Sequence, residues 1–169
     1  LKDEINRRKK DEIELSIFDY FNIIGSKNNP TEDKIKELNK FYSSLSLDNL
    51  SFNDYLIIQE ILFGKKEIRT SNVIGIKNKY EHTFFIFYEE IEESIEYIFK
   101  EINKFKNIIT KIFYLYICMT QYIHPFYDGN GRVSRLLLNF YLKKLGINYL
   151  ISKQEKMISW NSFKKEISK

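Results

Sequence analysis

Apolar residues recur along most of this chain at intervals of three and four, the spacing that lines one face of an α-helix. Ile13, Ile17, Phe18, Phe21 and Ile24 mark a first helix, with Gly25 and Pro30 supplying its stop and the loop beyond. A second follows Thr31 as cap, with Ile35, Leu38, Phe41 and Tyr42 on one face. Ser51 and Asp54 resemble a capping box with the shorter acid, opening a third helix through Leu56, Ile57, Glu60 and Ile61 to Gly64. From Ile68 to Phe87 the pattern changes. β-Branched and aromatic residues flank the polar Lys77-Asn78-Lys79, which is the composition of a β-hairpin. Helical spacing returns with Ile91, Ile95, Ile98, Phe99 and Ile102, and the most apolar segment, Ile108 to Ile123, predicts a central helix buried on most sides. Pro125 disfavours helical geometry at the residue before it, so that helix ends near His124. The next begins at about Gly131 and runs through Leu136, Leu137, Phe140, Tyr141 and Leu145 to Gly146. Trp160 and Phe163 place one more short helix in the tail, about 153–169. The fold class is mainly α, a helical bundle with one β-hairpin.

Composition narrows this further. A chain of 169 residues matches one domain spanning 1–169, long enough to bury a proper core. With 43% hydrophobic and 30% charged residues it is a soluble globular chain rather than a disordered one. No run reaches the ~18 apolar residues of a membrane span, and Leu1 to Lys10 is charged rather than signal-like. No membrane partner is expected, and the location is cytoplasmic or a host cytosol after delivery. The chain opens at Leu1 without a methionine, so upstream sequence is expected. The single Cys118 excludes an internal disulfide and reads as a small core residue; with only His82 and His124 beside it, no zinc cluster can be built. His82 reads as a surface hairpin residue. The net charge of +4 comes from interleaved signs, so no nucleic-acid partner is expected, and Arg7-Arg8-Lys9-Lys10 reads as a solvated helix face.

The candidate chemistry lies at 124–135, between two apolar helices. A Gly129-Asn130-Gly131 loop entering a helix leaves backbone N–H groups unpaired at the positive end of the helix dipole, which is an anion site. Arg132 and Arg135, three apart in the first turn, share a face and suit an extended polyphosphate. Asp128 is placed to hold Mg²⁺ together with phosphate oxygens, or simply to neutralise an arginine. His124, with an ordinary imidazole pKa near ~6.5, suits a general base for an alcohol supplied by a partner. Tyr127 has no assigned role. Tyr114, Tyr116, Tyr122 and Tyr141 fall on helical segments and are expected in the core.

The stretch from His124 to Arg135 resembles the defining motif of Fic domains, His-Pro-Phe-x-Asp/Glu-Gly-Asn-Gly-Arg-x-x-Arg, at every specified position. The resemblance implies an adenylyltransferase that moves AMP from ATP, with Mg²⁺, to a Ser, Thr or Tyr hydroxyl of a target protein. It gives His124 the proton of that hydroxyl, Asp128 the metal, and Gly129, Asn130 and Gly131 the α- and β-phosphates. Arg132 and Arg135 would take the β- and γ-phosphates, with Pro125 and Phe126 shaping the loop. In Fic domains a β-hairpin flap clamps an extended target segment as an added strand; residues 68–87 occupy the matching place, with Gly64 and Arg69 ahead of them and Thr70, Ser71, Asn72 and Val73 as docking positions. The similarity covers about 50–150, leaving helices of 1–49 weakly matched. Doc-like relatives that transfer phosphate carry Ala-Asn-Lys in place of Gly-Asn-Gly, so Gly131 favours nucleotidyl transfer.

Regulation in the family runs through a Ser/Thr-x-x-x-Glu helix followed by Gly or Asn, whose glutamate pairs with the second arginine. Ser162 to Glu166 has the spacing, but Ile167 follows. An inhibitory element upstream, downstream or on an antitoxin-like partner chain is the alternative. Two other readings keep the fold: a different transfer (another nucleotide, phosphate, phosphocholine, or AMP removal) or a non-catalytic nucleotide-binding module.

Overall fold

The structure, a computed structural model, describes residues 15–25, 30–76, 79–147 and 150–152. The basic run at 7–10, the start of the first helix at Ile13, the hairpin tip at 77–78 and the tail helix with Trp160, Phe163 and Ser162–Glu166 lie outside them. The helices are α1 (Ile17–Ile24), α2 (Glu32–Ser44), α3 (Phe52–Phe63), α4 (Ile91–Glu101), α5 (Ile108–Ile117) and α6 (Asn130–Lys144). Two short strands, β1 (Ile74–Ile76) and β2 (His82–Phe84), pair antiparallel between α3 and α4. The fold is mainly helical with one small hairpin, as the periodicity predicts. Among the described residues no helix is long and apolar enough to cross a membrane.

Local chemistry sets the helix ends. Thr31 caps α2 by accepting the Lys34 amide at 3.4 Å, and Ser51 caps α3 by accepting the Asn53 amide at 3.1 Å. The Asp54 carboxylate accepts from the Ser51 backbone, as the capping box expects, and also takes the Tyr141 hydroxyl at 3.4 Å. Gly64 ends α3 at φ 71°, a left-handed conformation that glycine adopts without a side-chain penalty.

The core gathers around α6, not around 108–123. Every residue from Val133 to Leu142 is buried, whereas α5 buries Ile112, Leu115 and Tyr116 and leaves Ile109 exposed. The reason is topological: α1, α3 and α5 all pack on α6, so even its polar positions are covered. Phe140 holds the middle of this packing, with the rings of Tyr42, Phe41 and Tyr20 at 5.3, 6.2 and 6.5 Å. Asn139 is buried there at no polar cost, exchanging hydrogen bonds with both backbone groups of Ile151. Tyr116 and Tyr141 are core residues as expected and Tyr114 is half-buried, but Tyr122 is 54% exposed, on the outer side of the turn that ends the helix.

That turn is irregular. Cys118–Ile123 forms a π-helical turn in which the His124 amide donates to the Met119 carbonyl at 3.2 Å, spanning one residue more than an α turn. The helix therefore ends at the predicted place but in a wider coil.

Candidate active site

His124 closes the π turn with φ 49° and ψ 62°, and it is the one non-glycine residue among those described with positive φ. Such a backbone is costly for a side chain with a Cβ and persists only where neighbours hold it. Here they do: the amide is tied to Met119, and the carbonyl accepts from Arg69 Nε at 2.8 Å. The ring is held as well. Nδ1 lies 3.2 Å from the Thr120 carbonyl, and Phe85 stacks on the imidazole at 3.8 Å between centroids, 13° between planes. A carbonyl oxygen can only accept, so in the neutral ring Nδ1 carries the proton and Nε2 the lone pair.

Gly129 opens α6 at φ 84°, and the helix has no side-chain cap. A Cβ at 129 would fall 2.5 Å from the Phe63 ring, so both the backbone angle and the close packing of Phe63 require glycine. The first α-helical bond is Val133 N–H to the Gly129 carbonyl at 2.9 Å, which places the preceding amides at the uncapped positive end. Asn130 is buried, and its side chain is used within the loop: Oδ1 accepts the Phe126 amide at 2.9 Å and Nδ2 donates to the Phe126 carbonyl at 2.7 Å. What Asn130 can offer an anion is its backbone, not its amide group. Gly131 lies in the first turn of α6.

The two arginines differ. Arg132 lies over the Phe63 ring, 4.6 Å to the centroid, and donates to Asp128 Oδ2 at 2.7 Å. Asp128 Oδ1 accepts the Gly129 amide at 2.7 Å. Partial burial raises the Asp128 carboxyl, but the Arg132 and Gly129 hydrogen bonds and the nearby charges of Arg132 and Lys65 outweigh it and hold the group below its ordinary value. It is ionised, and its side chain is 81% exposed. Both sequence readings of Asp128 are thus compatible with one geometry: it neutralises an arginine and still presents outward lone pairs. Arg135 is buried, and its Nε donates to the Ile23 carbonyl at 2.9 Å. The buried Tyr116 hydroxyl lies beside its guanidinium without completing a hydrogen bond.

The expected docking positions precede β1 and form a bend. Thr70, Ser71 and Asn72 are exposed and Val73 is half-buried. Tyr127 ties this bend to the motif loop: its hydroxyl accepts the Thr70 amide at 3.0 Å and lies 3.1 and 3.0 Å from the Thr70 and Ser71 hydroxyls. Asn72 Oδ1 accepts the Tyr88 amide at 2.9 Å across the hairpin root. The strands are shorter than the span 68–87 because the Ser71 and Ile86 carbonyls go to Arg69 rather than to a ladder. His82 is exposed on β2, as expected.

Sequence reasoning gave Phe85 and Phe63 no place in the site, left Tyr127 without a role, and named Arg69 only as standing ahead of the hairpin. The burial of Arg69 left no local signal, because Lys65-Lys66-Glu67 before it and Thr70-Ser71-Asn72 after it are polar.

The fold is a helical bundle with one small hairpin, in which a left-handed histidine and an uncapped helix start lie on one loop. The comparisons make this specific. A model of the Fic/DOC family matches residues 49–142, more than half of the chain, and the protein belongs to that family. Its fold is similar to a Fic domain-containing signaling protein from Bacteroides thetaiotaomicron VPI-5482, with a TM-score of 0.60 and 20% identity, covering 95% of this chain and 74% of that one. It is also similar to a Fic family protein from Desulfovibrio desulfuricans G20, with a TM-score of 0.53 and 14% identity, covering 80% of this chain but 45% of that one. At these identities the likeness is one of fold. Comparison with curated proteins gave no match.

Proposed function

We propose that the protein is an adenylyltransferase that moves AMP from ATP to a Ser, Thr or Tyr hydroxyl of a target protein. The observation that carries this reading is His124: its Nδ1 faces the Thr120 carbonyl, leaving Nε2 as the basic nitrogen on the loop that opens the uncapped α6. In the reaction, Nε2 takes the hydroxyl proton as the oxygen attacks the α-phosphorus in line. The bond from that phosphorus to the bridging oxygen breaks, and pyrophosphate leaves with the electron pair. The amides of Asn130 and Gly131, and that of Gly129 once it turns from Asp128 Oδ1 to the ligand, hold the α- and β-phosphates. Arg132 and Arg135 take the β- and γ-phosphates, which requires Arg132 to share Asp128 with the ligand site and the buried Arg135, whose Nε is held by the Ile23 carbonyl, to reach them with its Nη groups. Asp128 fits Mg²⁺ only jointly with phosphate oxygens: it is a single exposed, ionised carboxylate, and no cluster of three His, Cys, Asp or Glu exists among the described residues. Bound there, Mg²⁺ would offset phosphate charge. The motif glycine at 131, where phosphate-transferring relatives carry lysine, supports AMP as the group moved. The target strand is proposed to dock along residues 70–73 and β1, and restraint by an inhibitory segment or an antitoxin-like chain is proposed on the family resemblance alone.

The test follows the label. With a lysate containing candidate targets, ATP labelled at the α-phosphate should mark protein, γ-labelled ATP should not, and His124→Ala should abolish transfer. Transfer of γ-label alone would reassign the enzyme as a kinase, and a target mass increase other than that of AMP would reassign the group moved.

A further inference from the structure

The largest fully buried side chain among those described is a cation, Arg69, 1% exposed. Its burial is not balanced by a carboxylate, since none of the ion pairs among the described residues includes it. Four backbone carbonyls take that place. Nε donates to His124 at 2.8 Å, Nη1 to Ser71 at 2.9 Å, and Nη2 to Ile86 at 2.6 Å and Ile123 at 3.1 Å. The Arg69 amide adds a fifth bond, to the Pro125 carbonyl at 2.9 Å.

The acceptors belong to three separate segments. Ser71 lies on the chain rising into the hairpin and Ile86 on the chain descending from it. Ile123 and His124 end the helical run that begins with α5. Their carbonyls are the orphans that any helix C-terminus leaves, at the negative end of its dipole, and a guanidinium satisfies them with both hydrogen bonds and charge. Only a planar fork reaches four acceptors at once; a lysine ammonium is a point donor on a flexible stem.

We infer that Arg69 is a positioning residue: its buried fork holds the His124 backbone in its left-handed conformation and fixes both roots of the hairpin to it, so that base and flap share one register. The proposal rests on the reading of His124 as the base, but the lock itself is a property of the protein without ATP or target. Phe85 strengthens the coupling, because the residue next to Ile86 lies flat on the imidazole. Any shift of the descending root would carry that ring off His124.

A purely structural arginine would stabilise the fold without regard to what stands at 124. A double-mutant cycle separates the two roles. Arg69→Lys is compared with wild type in two backgrounds of the full chain, His124 and His124→Gly, by chemical denaturation. Glycine adopts φ 49° unaided, so the stability lost with Arg69→Lys should be clearly smaller in the His124→Gly background. Equal losses overturn the proposal.

A second measurement needs no variant. In nitrogen-edited NMR of wild-type protein above the imidazole titration, His124 should show predominantly the Nδ1–H tautomer. The Arg69 Nε–H should exchange slowly and show contacts to His124 and Ile86. A fast-exchanging Nε–H or a tautomer-averaged imidazole in the wild type also sinks the idea, whether or not Arg69→Lys folds. Once a target is known, folded Arg69→Lys should lose at least tenfold in kcat while KM for ATP stays within about twofold, since the lock acts on the base and not on the phosphate cradle. An equal effect on both would count against it.

Discussion

Phe85 and His124 form a stacked pair, 3.8 Å between ring centroids, that joins the hairpin to the loop opening α6. Gly75 packs close to the same ring, where a Cβ would stand 3.3 Å from Phe85. The aromatic ring thus touches both a strand glycine and the imidazole.

Phe85→Ala should cost about 1–3 kcal/mol of stability, less than a fully buried phenylalanine because the ring is half-buried. It should lower transfer by at least tenfold while leaving ATP affinity near wild type. Chemical denaturation and a nucleotide-binding titration check the two parts separately, and Phe85→Leu should lie between.

Gly129→Ala meets two obstacles, φ 84° and the Phe63 ring at 2.5 Å. The backbone angle alone costs roughly 1–2 kcal/mol, and the overlap adds to it. Adding Phe63→Ala should relieve the overlap but not the strain, so the double variant should bind ATP better than Gly129→Ala and still worse than the wild type. Binding equal to wild type in Gly129→Ala would contradict the close packing.

Asn130→Ala removes two hydrogen bonds that satisfy the Phe126 amide and carbonyl in a buried loop. The loss should be about 2–4 kcal/mol, larger than for a surface asparagine, because buried donors and acceptors are left unpaired. Asn130→Asp should fail too, since a carboxylate cannot donate to the Phe126 carbonyl. Urea unfolding midpoints measure both.

The Asp128 carboxyl lies below its ordinary 3.8 in the folded protein. The Asp128–Arg132 pair therefore contributes fully above that value, and its contribution is lost as pH falls through the lowered one. Thermal melts of wild type and Asp128→Asn should differ by a constant amount near neutrality and converge in acid. The difference should be small, as expected for an exposed carboxylate.

Cys118 is buried, and burial pushes its thiol up to about 11. The native protein should resist iodoacetamide at pH 8 and become reactive on unfolding, because the thiolate is the nucleophile. Mass spectrometry of alkylated protein with and without urea reads this directly.

Much of this was legible before any coordinates. The 3.6-residue period marked the helices, and the turn residues Gly64, Pro125 and Gly146 marked where they stop, because these signals are local. The motif named His124, Asp128 and the loop for the same reason: they are adjacent in the chain. What escaped notice depends on distant partners. Arg69 acts on carbonyls more than fifty residues away, and no local pattern says that a backbone carbonyl rather than a carboxylate receives a guanidinium. Phe85 and Phe63 looked like ordinary apolar positions until packing set one on an imidazole and the other on a glycine. Asp54 had a local explanation, a cap, and tertiary structure added Tyr141 to it as a distant second partner. The burial of α6 over that of 108–123 was likewise invisible, since neighbouring helices rather than its own residues decide how many sides are covered.

The widened coil at Cys118–Ile123 makes helix length, counted in residues, part of the chemistry. A π turn holds one residue more than an α turn, so losing one codon here would draw the coil back to α geometry and remove the wide turn from which His124 leaves in its left-handed conformation. Every side chain named above would still be encoded, yet the basic nitrogen would face elsewhere. A short in-frame deletion is thus a route to a silent family member that motif inspection alone would pass as intact.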